Sequence, residues 1–228
     1  MKLLNFLKNF KCDVSLLSPQ IGKNEYMNLD LSTSNKQFKN INFNSSVNFA
    51  KFINEILKKN NKSIAYGGYL EKRAIYSRSS NFKIGCENSY RNIHLGIDLW
   101  NIDGAPVISP FDGKIHSFKN NTAFGDYGPT LILEHNILGN HFFTLYGHLS
   151  KESLLNFKIG KIIISGSKIG NIGSSKVNGD YPPHLHFQII SDIGDYWGDY
   201  PGVCSIEDLN FYKLNCPDPN LILKLPSL

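Results

Sequence analysis

Beyond residue 66 the chain is built from short apolar runs, at 106–108, 114–118, 130–134, 142–146, 159–164 and 184–190, each closed off within a few residues by glycine, proline, aspartate or asparagine. Runs of this length, rich in β-branched and aromatic residues, read as strands joined by tight turns. The spacing therefore predicts a mainly β fold, an antiparallel β-sheet domain. Residues 1–65 read differently. Ser46 is expected to cap a helix of about fourteen residues, with Phe49, Phe52, Ile53, Ile56 and Leu57 on one face and Lys58-Lys59 favourably placed near its end. Residues 18–45 are polar and Asn-rich, without clear period. The chain thus divides near residue 66 into a short, partly helical N-terminal extension (1–65) and a domain with a C-terminal tail (66–228). At 228 residues and 41% hydrophobic content it can bury one sizeable core.

Three separated stretches carry groups suited to metal chemistry: His94-Leu-Gly-Ile-Asp98, Tyr146-Gly-His148 and His184-Leu-His186. A catalytic zinc ion commonly takes three His or carboxylate ligands and keeps a fourth position for water. In a strand, His184 and His186 project to the same face, roughly 7 Å apart at the backbone, so one can bind metal while the other meets substrate. His94 and Asp98 would lie about 13 Å apart on a straight strand, too far for one ion. The chain must bend between them, and Gly96 is the expected hinge. Residues 100–110, with Gly104, Pro106 and Pro110, read poorly as a helix that would bring them together. No HExxH sequence is present, which argues against a helix-borne site with glutamate as base. An ion held by two neutral imidazoles and one carboxylate keeps positive charge, activates water near neutral pH and polarises a carbonyl. A nearby imidazole can stabilise developing negative charge or carry a proton to a leaving amine.

These motifs, together with Gly104-Ala-Pro-Val-Ile-Ser-Pro-Phe-Asp-Gly-Lys-Ile115, Tyr146-Gly-His-Leu-Ser150, Gly160, Gly166, Gly170-Asn-Ile-Gly-Ser174 and Pro183-His-Leu-His-Phe187, resemble the lysostaphin and LytM-type zinc endopeptidases, which cut peptide cross-links in bacterial cell walls. The resemblance covers roughly residues 90 to 192, in the family's order. It implies a LytM/lysostaphin-like metallopeptidase domain of duplicated hybrid motif type, one Zn2+ ion and a peptide substrate in peptidoglycan. It also implies that His94, Asp98 and His186 bind the zinc, with His148 and His184 as the catalytic pair. Part of residues 67–82, and the ending Gly198-Asp-Tyr-Pro-Gly-Val-Cys204 with Cys216-Pro-Asp-Pro-Asn220, resemble a subgroup that can be fused to class III aminotransferases; nothing of an aminotransferase is present. Two alternatives come from other classes. Some similar proteins have lost ligands and act as non-catalytic activators of wall hydrolases, whereas all five polar positions are intact here. Sugar phosphotransferase domains of similar architecture pass phosphate between histidines and have no use for Asp98.

The other polar groups read more plainly. His116, His135 and His141 lack partners at useful spacing and are expected as surface or strand histidines, His135 facing solvent near a strand end. Asp103 and Asp112 sit beside Gly104 and Gly113 as turn residues, and Glu134 is a poor catalytic acid. Residues 120–128 form an expected loop, and Tyr127, Tyr181 and Tyr196-Trp197 serve equally well as groove lining or as packing. Arg73, Arg78 and Arg91 suit a substrate carboxylate, with surface ion pairing favoured for any single one. The extension is expected to pack over the groove and limit access. A net charge of +5 suits anionic wall polymers, but it is spread along the chain without the basic run nucleic acid would need. Cys12, Cys86, Cys204 and Cys216 show no CxxC spacing; Cys204 and Cys216 would pair in an oxidising compartment, and free buried thiols are favoured. No apolar run in residues 1–10 has signal-peptide length, and none elsewhere spans a membrane. On that reading the compartment is cytoplasmic unless another export route operates, against the periplasm or cell wall that the resemblance implies.

Overall fold

The computed structural model describes residues 2–18, 20–36, 45–85 and 89–226. Helix α1 (Lys2–Asn9), strand β1 (Tyr26–Asn28), helix α2 (Ser46–Lys59) and strand β2 (Ile64–Gly67) come first, followed by the two-residue strands β3 (Lys83–Ile84) and β4 (Ser89–Tyr90). Then come β5 (Ile93–His94), β6 (Ile97–Trp100), β7 (Pro106–Ile108), β8 (Gly113–Asn121), β9 (Gly128–Ile137), β10 (Asn140–Gly147) and the single-turn α3 (Lys151–Leu154). The chain ends through β11 (Ile162–Ile163), β12 (Lys168–Asn171), β13 (His184–Ile190), β14 (Val203–Cys204), α4 (Leu209–Asn215) and α5 (Asn220–Leu223).

An eight-stranded sheet in the order β1-β2-β6-β13-β10-β9-β8-β11 organises the molecule, which is mainly β as its punctuated runs predict. Every pairing is antiparallel except β1 with β2, which run parallel. The alternation of side chains sorts the two faces. Leu131, Leu133, Phe142, Tyr146, Leu185, Phe187 and Ile189 enter one cluster, while Ile132, Phe143, Leu145 and Ile190 enter another on the opposite face. His184 and His186 alternate with Leu185 and Phe187, so the polar triplet completed by Gln188 stands on the second face. The apolar set of β13 anchors the strand in the main core, and its polar set is thereby held in place.

Residues before 66 are woven into this arrangement. Leu7, Leu16, Leu17 and Tyr26 belong to the main core, and β1 adds a strand to the sheet beside β2, which itself straddles residue 66. Helix α2 has the expected length and buries Phe49, Ile53 and Leu57 against Ala65, Tyr76 and Trp100. Its cap lies one residue earlier than expected: Ser45 accepts from the Asn48 amide, while Ser46 Oγ donates to Asp180 Oδ1 at 2.6 Å. The run at 159–164 yields only β11, because Gly160 has φ +77° and turns the chain.

His135 is a strand histidine near the end of β9, as expected, but it does not face solvent. It is buried, its ring bonding Asp112 O at 2.8 Å and Thr144 Oγ1 at 2.7 Å and stacking on Phe142. Cys204 and Cys216 are buried free thiols, Cys12 is exposed, and Cys86 lies outside the described residues.

Candidate metal centre and pocket

The register of the sheet sets up the site. Asp98 on β6 lies directly opposite His186 on β13, so their side chains share a face as a cross-strand pair. His94 ends β5, which pairs with β14 in a separate small sheet, and Leu95-Gly96 carries the chain across to β6. The expected bend at Gly96 is a strand break, and glycine is required there by crowding: a Cβ would sit 2.7 Å from the His186 ring and 2.6 Å from Phe187 O.

Three atoms converge. His94 Nε2 is 2.8 Å from His186 Nδ1, and Asp98 Oδ1 is 3.2 Å from His186 Nδ1 and 3.3 Å from His94 Nε2. Hydrogen bonds at the far side of each ring fix the tautomers. His94 Nδ1–H donates to Gly68 O at 3.0 Å. Gln188 donates its amide N–H to Pro201 O and Cys216 Sγ, which turns Oε1 toward His186 Nε2–H at 3.0 Å. Both inward nitrogens thus carry lone pairs, as does the Asp98 oxygen. Burial pushes the His94 pKa down to about 4, so its ring is neutral at pH 7. Burial alone would raise the Asp98 carboxyl, but the neighbouring His94 and the Arg73 guanidinium hold it well below the usual carboxylate range. Three electron pairs facing one another with no proton between them repel, and a cation relieves that repulsion. Zinc bonds of 2.0–2.1 Å in a tetrahedral arrangement place donor atoms about 3.3 Å apart, close to the spacing found. Among the described residues this is the one cluster of three or more His, Cys, Asp or Glu side chains able to hold a metal ion.

His148 and His184 stand beside this trio, their ring centroids 4.1 Å apart. His184 belongs to β13 and stacks on Trp100, its cross-strand neighbour. His148 follows the end of β10 with φ +63°, a left-handed conformation uncommon outside glycine and often met at functional sites. Its Nδ1–H donates to Asn178 O at 2.9 Å, and that of His184 donates to Pro182 O at 2.8 Å. Both rings therefore present unprotonated Nε2 atoms, and that of His184 lies 3.8 Å from Asp98 Oδ1. Burial lowers both pKa values, that of His148 well below the ordinary histidine value with help from the neighbouring imidazoles. All five groups are at most 5% exposed.

Above them lies a cavity of about 230 Å³. Phe49 lines it from the N-terminal extension, and Tyr76, Phe82, Tyr127, Tyr181 and Tyr200 from beyond residue 66. Tyr127 and Tyr181 serve both uses expected of them: each is buried and each faces the pocket, Tyr181 OH donating to Gly125 O. Tyr196 also lines it, whereas Trp197 packs on His116. His141 pairs with Glu134 on the surface.

The arginines differ from expectation. Arg73 is buried and paired with Glu71 and Asp98, not with solvent. Arg78 is held between Phe124 and Tyr181 and donates to Asp180 O. Arg91 donates to Asn81 O at the pocket edge. Gln188, Gly68 and Asn178 are residues that sequence motifs alone miss, and Arg73, expected for a substrate carboxylate, binds Asp98 instead. Gln188 was within reach, because the two-residue alternation that pairs His184 with His186 extends to it.

Residues 92–196 match the model of peptidase family M23. A Haemophilus influenzae (strain ATCC 51907 / DSM 11121 / KW20 / Rd) protein described as an uncharacterized metalloprotease is 32% identical over 95 residues, covering 42% of this chain and 18% of that protein. The chain thus spans less than a fifth of that relative's length. The catalytic domain of the antimicrobial peptidase lysostaphin from Staphylococcus simulans aligns with 25% identity over 68% of this chain and 94% of its own, with a TM-score of 0.40. A zinc containing peptidase from Vibrio cholerae aligns with 32% identity over 49% of this chain and 31% of its own, with a TM-score of 0.36. The segment that carries the converging histidines and Asp98 is the segment, residues 92–196, that matches peptidase family M23.

Proposed function

We propose that this chain is a zinc-dependent endopeptidase that hydrolyses peptide bonds of peptidoglycan, in cross-links or stem peptides. The observation that carries this reading is the meeting of three lone pairs, from His94, Asp98 and His186, beside two further neutral imidazoles. Nitrogen and carboxylate donors in this number suit zinc with a position left for water. Held by this set, zinc would lower the pKa of water to about 7 and polarise the scissile carbonyl.

The chain's own residues divide the remaining work. Asn178 O and Pro182 O hold His148 and His184 with Nε2 toward the site, where a neutral imidazole accepts a proton from the attacking water. Once protonated, either ring donates to the oxygen that gains charge, or returns the proton to the leaving amine. The tyrosine and phenylalanine walls exclude water and offer surfaces on which an extended peptide can lie. The wall polymer as substrate is supported by the family and by the net positive charge. Among the described residues no helix is long and apolar enough to cross a membrane.

The test is digestion of purified muropeptides with mass analysis of the products, alongside metal content of the purified protein. New termini at a peptide bond and one zinc per chain are expected. Zinc without cleavage of any wall peptide would assign the chain to a non-catalytic activator, and absence of zinc would reopen phosphotransfer.

A further inference from the structure

Arg73 lies outside the segment that matches the family, yet it reaches the centre of the site. It is 4% exposed, and its Nη1 donates at 2.5 Å to Asp98 Oδ2, the oxygen that faces away from His94 and His186. Its Nε donates to Glu71 Oε2, while Glu71 Oε1 accepts from the Leu31 amide at 2.8 Å. The Arg73 amide donates to Asn92 O at 2.9 Å, and the guanidinium lies over Trp100 at 5.7 Å. Gly68 leaves room for it: a Cβ there would sit 2.0 Å from Arg73 Nη2 and 2.7 Å from His94 Nδ1. The second amino nitrogen therefore stands behind the His94 ring, on the side away from Nε2. Two arms of the fork are engaged in this way, and Nη2 is buried without a hydrogen-bond partner.

From this geometry we infer that Arg73 is a positioning residue, which fixes Asp98 so that it offers a single oxygen, Oδ1, to the metal. This inference rests on the metal reading of the site. A carboxylate with both oxygens free can chelate an ion through both and fill the position that water needs. A guanidinium on Oδ2 removes that option, and its planar fork holds Asp98 and Glu71 in fixed directions. Glu71 ties the assembly to the backbone at Leu31, so residues of the N-terminal extension help to hold a metal carboxylate. Outer partners of this kind tune affinity as well as orientation.

The full-length protein, stripped of metal and titrated calorimetrically with zinc, tests the inference, with melting curves establishing that each variant is folded. Arg73→Met combined with Glu71→Gln removes both buried charges together and should bind zinc roughly 10- to 100-fold more weakly than wild type. Arg73→Lys keeps the charge but loses the fork, and should recover part of that loss. The Co2+-loaded Arg73→Lys protein should absorb more weakly in the visible than Co2+-loaded wild type, as a second carboxylate oxygen raises the coordination number. Zinc binding within about threefold of wild type in the double variant, or a Co2+ spectrum unchanged in Arg73→Lys, would overturn the inference. Should the double variant not fold, the Arg73→Lys spectrum and affinity decide alone. Failure of wild type itself to bind zinc would instead count against the metal reading.

Discussion

Replacing Gln188 with leucine should weaken zinc binding without touching a ligand. Gln188 is buried, and its Oε1 is the acceptor that holds the proton on the outer nitrogen of His186. Leucine is close in volume, so the change removes polarity rather than opening a cavity. The His186 Nε2–H then lacks a good acceptor; Tyr127 OH, at 3.4 Å, lies beyond the normal range. A buried donor left unsatisfied costs about 1–3 kcal/mol. The ring escapes that cost by moving its proton to Nδ1, where His94 Nε2 waits at 2.8 Å as an acceptor. That tautomer has no lone pair for a metal, so zinc must reverse the exchange and its binding carries the penalty. At about 1.4 kcal/mol per tenfold, the expected loss in affinity is roughly 10- to 100-fold. Competition for zinc against a chelator of known affinity measures it, with Tyr127→Phe as a control expected to change affinity by less than about threefold. A folded Gln188→Leu protein that binds zinc as tightly as wild type would refute the argument that this hydrogen bond selects the tautomer.

Three further outcomes are expected. His186→Ala should abolish zinc retention, whereas His148→Ala should keep zinc and lose roughly 10²- to 10⁴-fold in turnover, as metal analysis and single-turnover cleavage would report. For His135, burial depresses the folded-state pKa to about 4 against 6.5 in the unfolded chain, so the unfolded chain takes up the proton first as pH falls. The stability it contributes is full above about pH 6.5 and is lost toward pH 4, to a limit on the order of 3 kcal/mol, and urea midpoints across that range should fall less steeply in His135→Gln. Leu17→Ala, deep in the main core, should cost about 2–5 kcal/mol by denaturant unfolding; a negligible cost would mean that the extension is not part of the cooperative unit.

Local pattern made the strands and the inward groups legible. The run at 184–190 corresponds to β13, and 130–134 and 142–146 lie inside β9 and β10, because a short β-branched and aromatic run bounded by turn residues is written in adjacent residues. His94, Asp98, His148, His184 and His186 sit in short motifs for the same reason, and the structure brings all five together. What supports them is not written locally. Gly68 and His94, or Arg73 and Asp98, meet because residues 70–73 run beside 92–94, the Leu70 amide donating to His94 O and the Arg73 amide to Asn92 O, and no spacing in the sequence announces a contact across 25 residues. The parallel pairing of β1 also escaped notice, since three residues carry no measurable period. His135 reads as solvent-facing because nothing near it in sequence shows that Asp112 O and Thr144 will enclose it.

The pairing of β2 with β6, which sets Gly67 opposite Asp98, bears on how the matched segment is cut from its chain. A fragment trimmed to the family boundary at residue 92 would retain every inward-facing imidazole and the carboxylate. It would lose the carbonyl that orients one histidine, the guanidinium behind the aspartate and the strand that shields their shared edge from water. Excision for crystallography or activity assays should therefore begin upstream of Tyr26, because inactivity of a shorter piece would not report on the intact site.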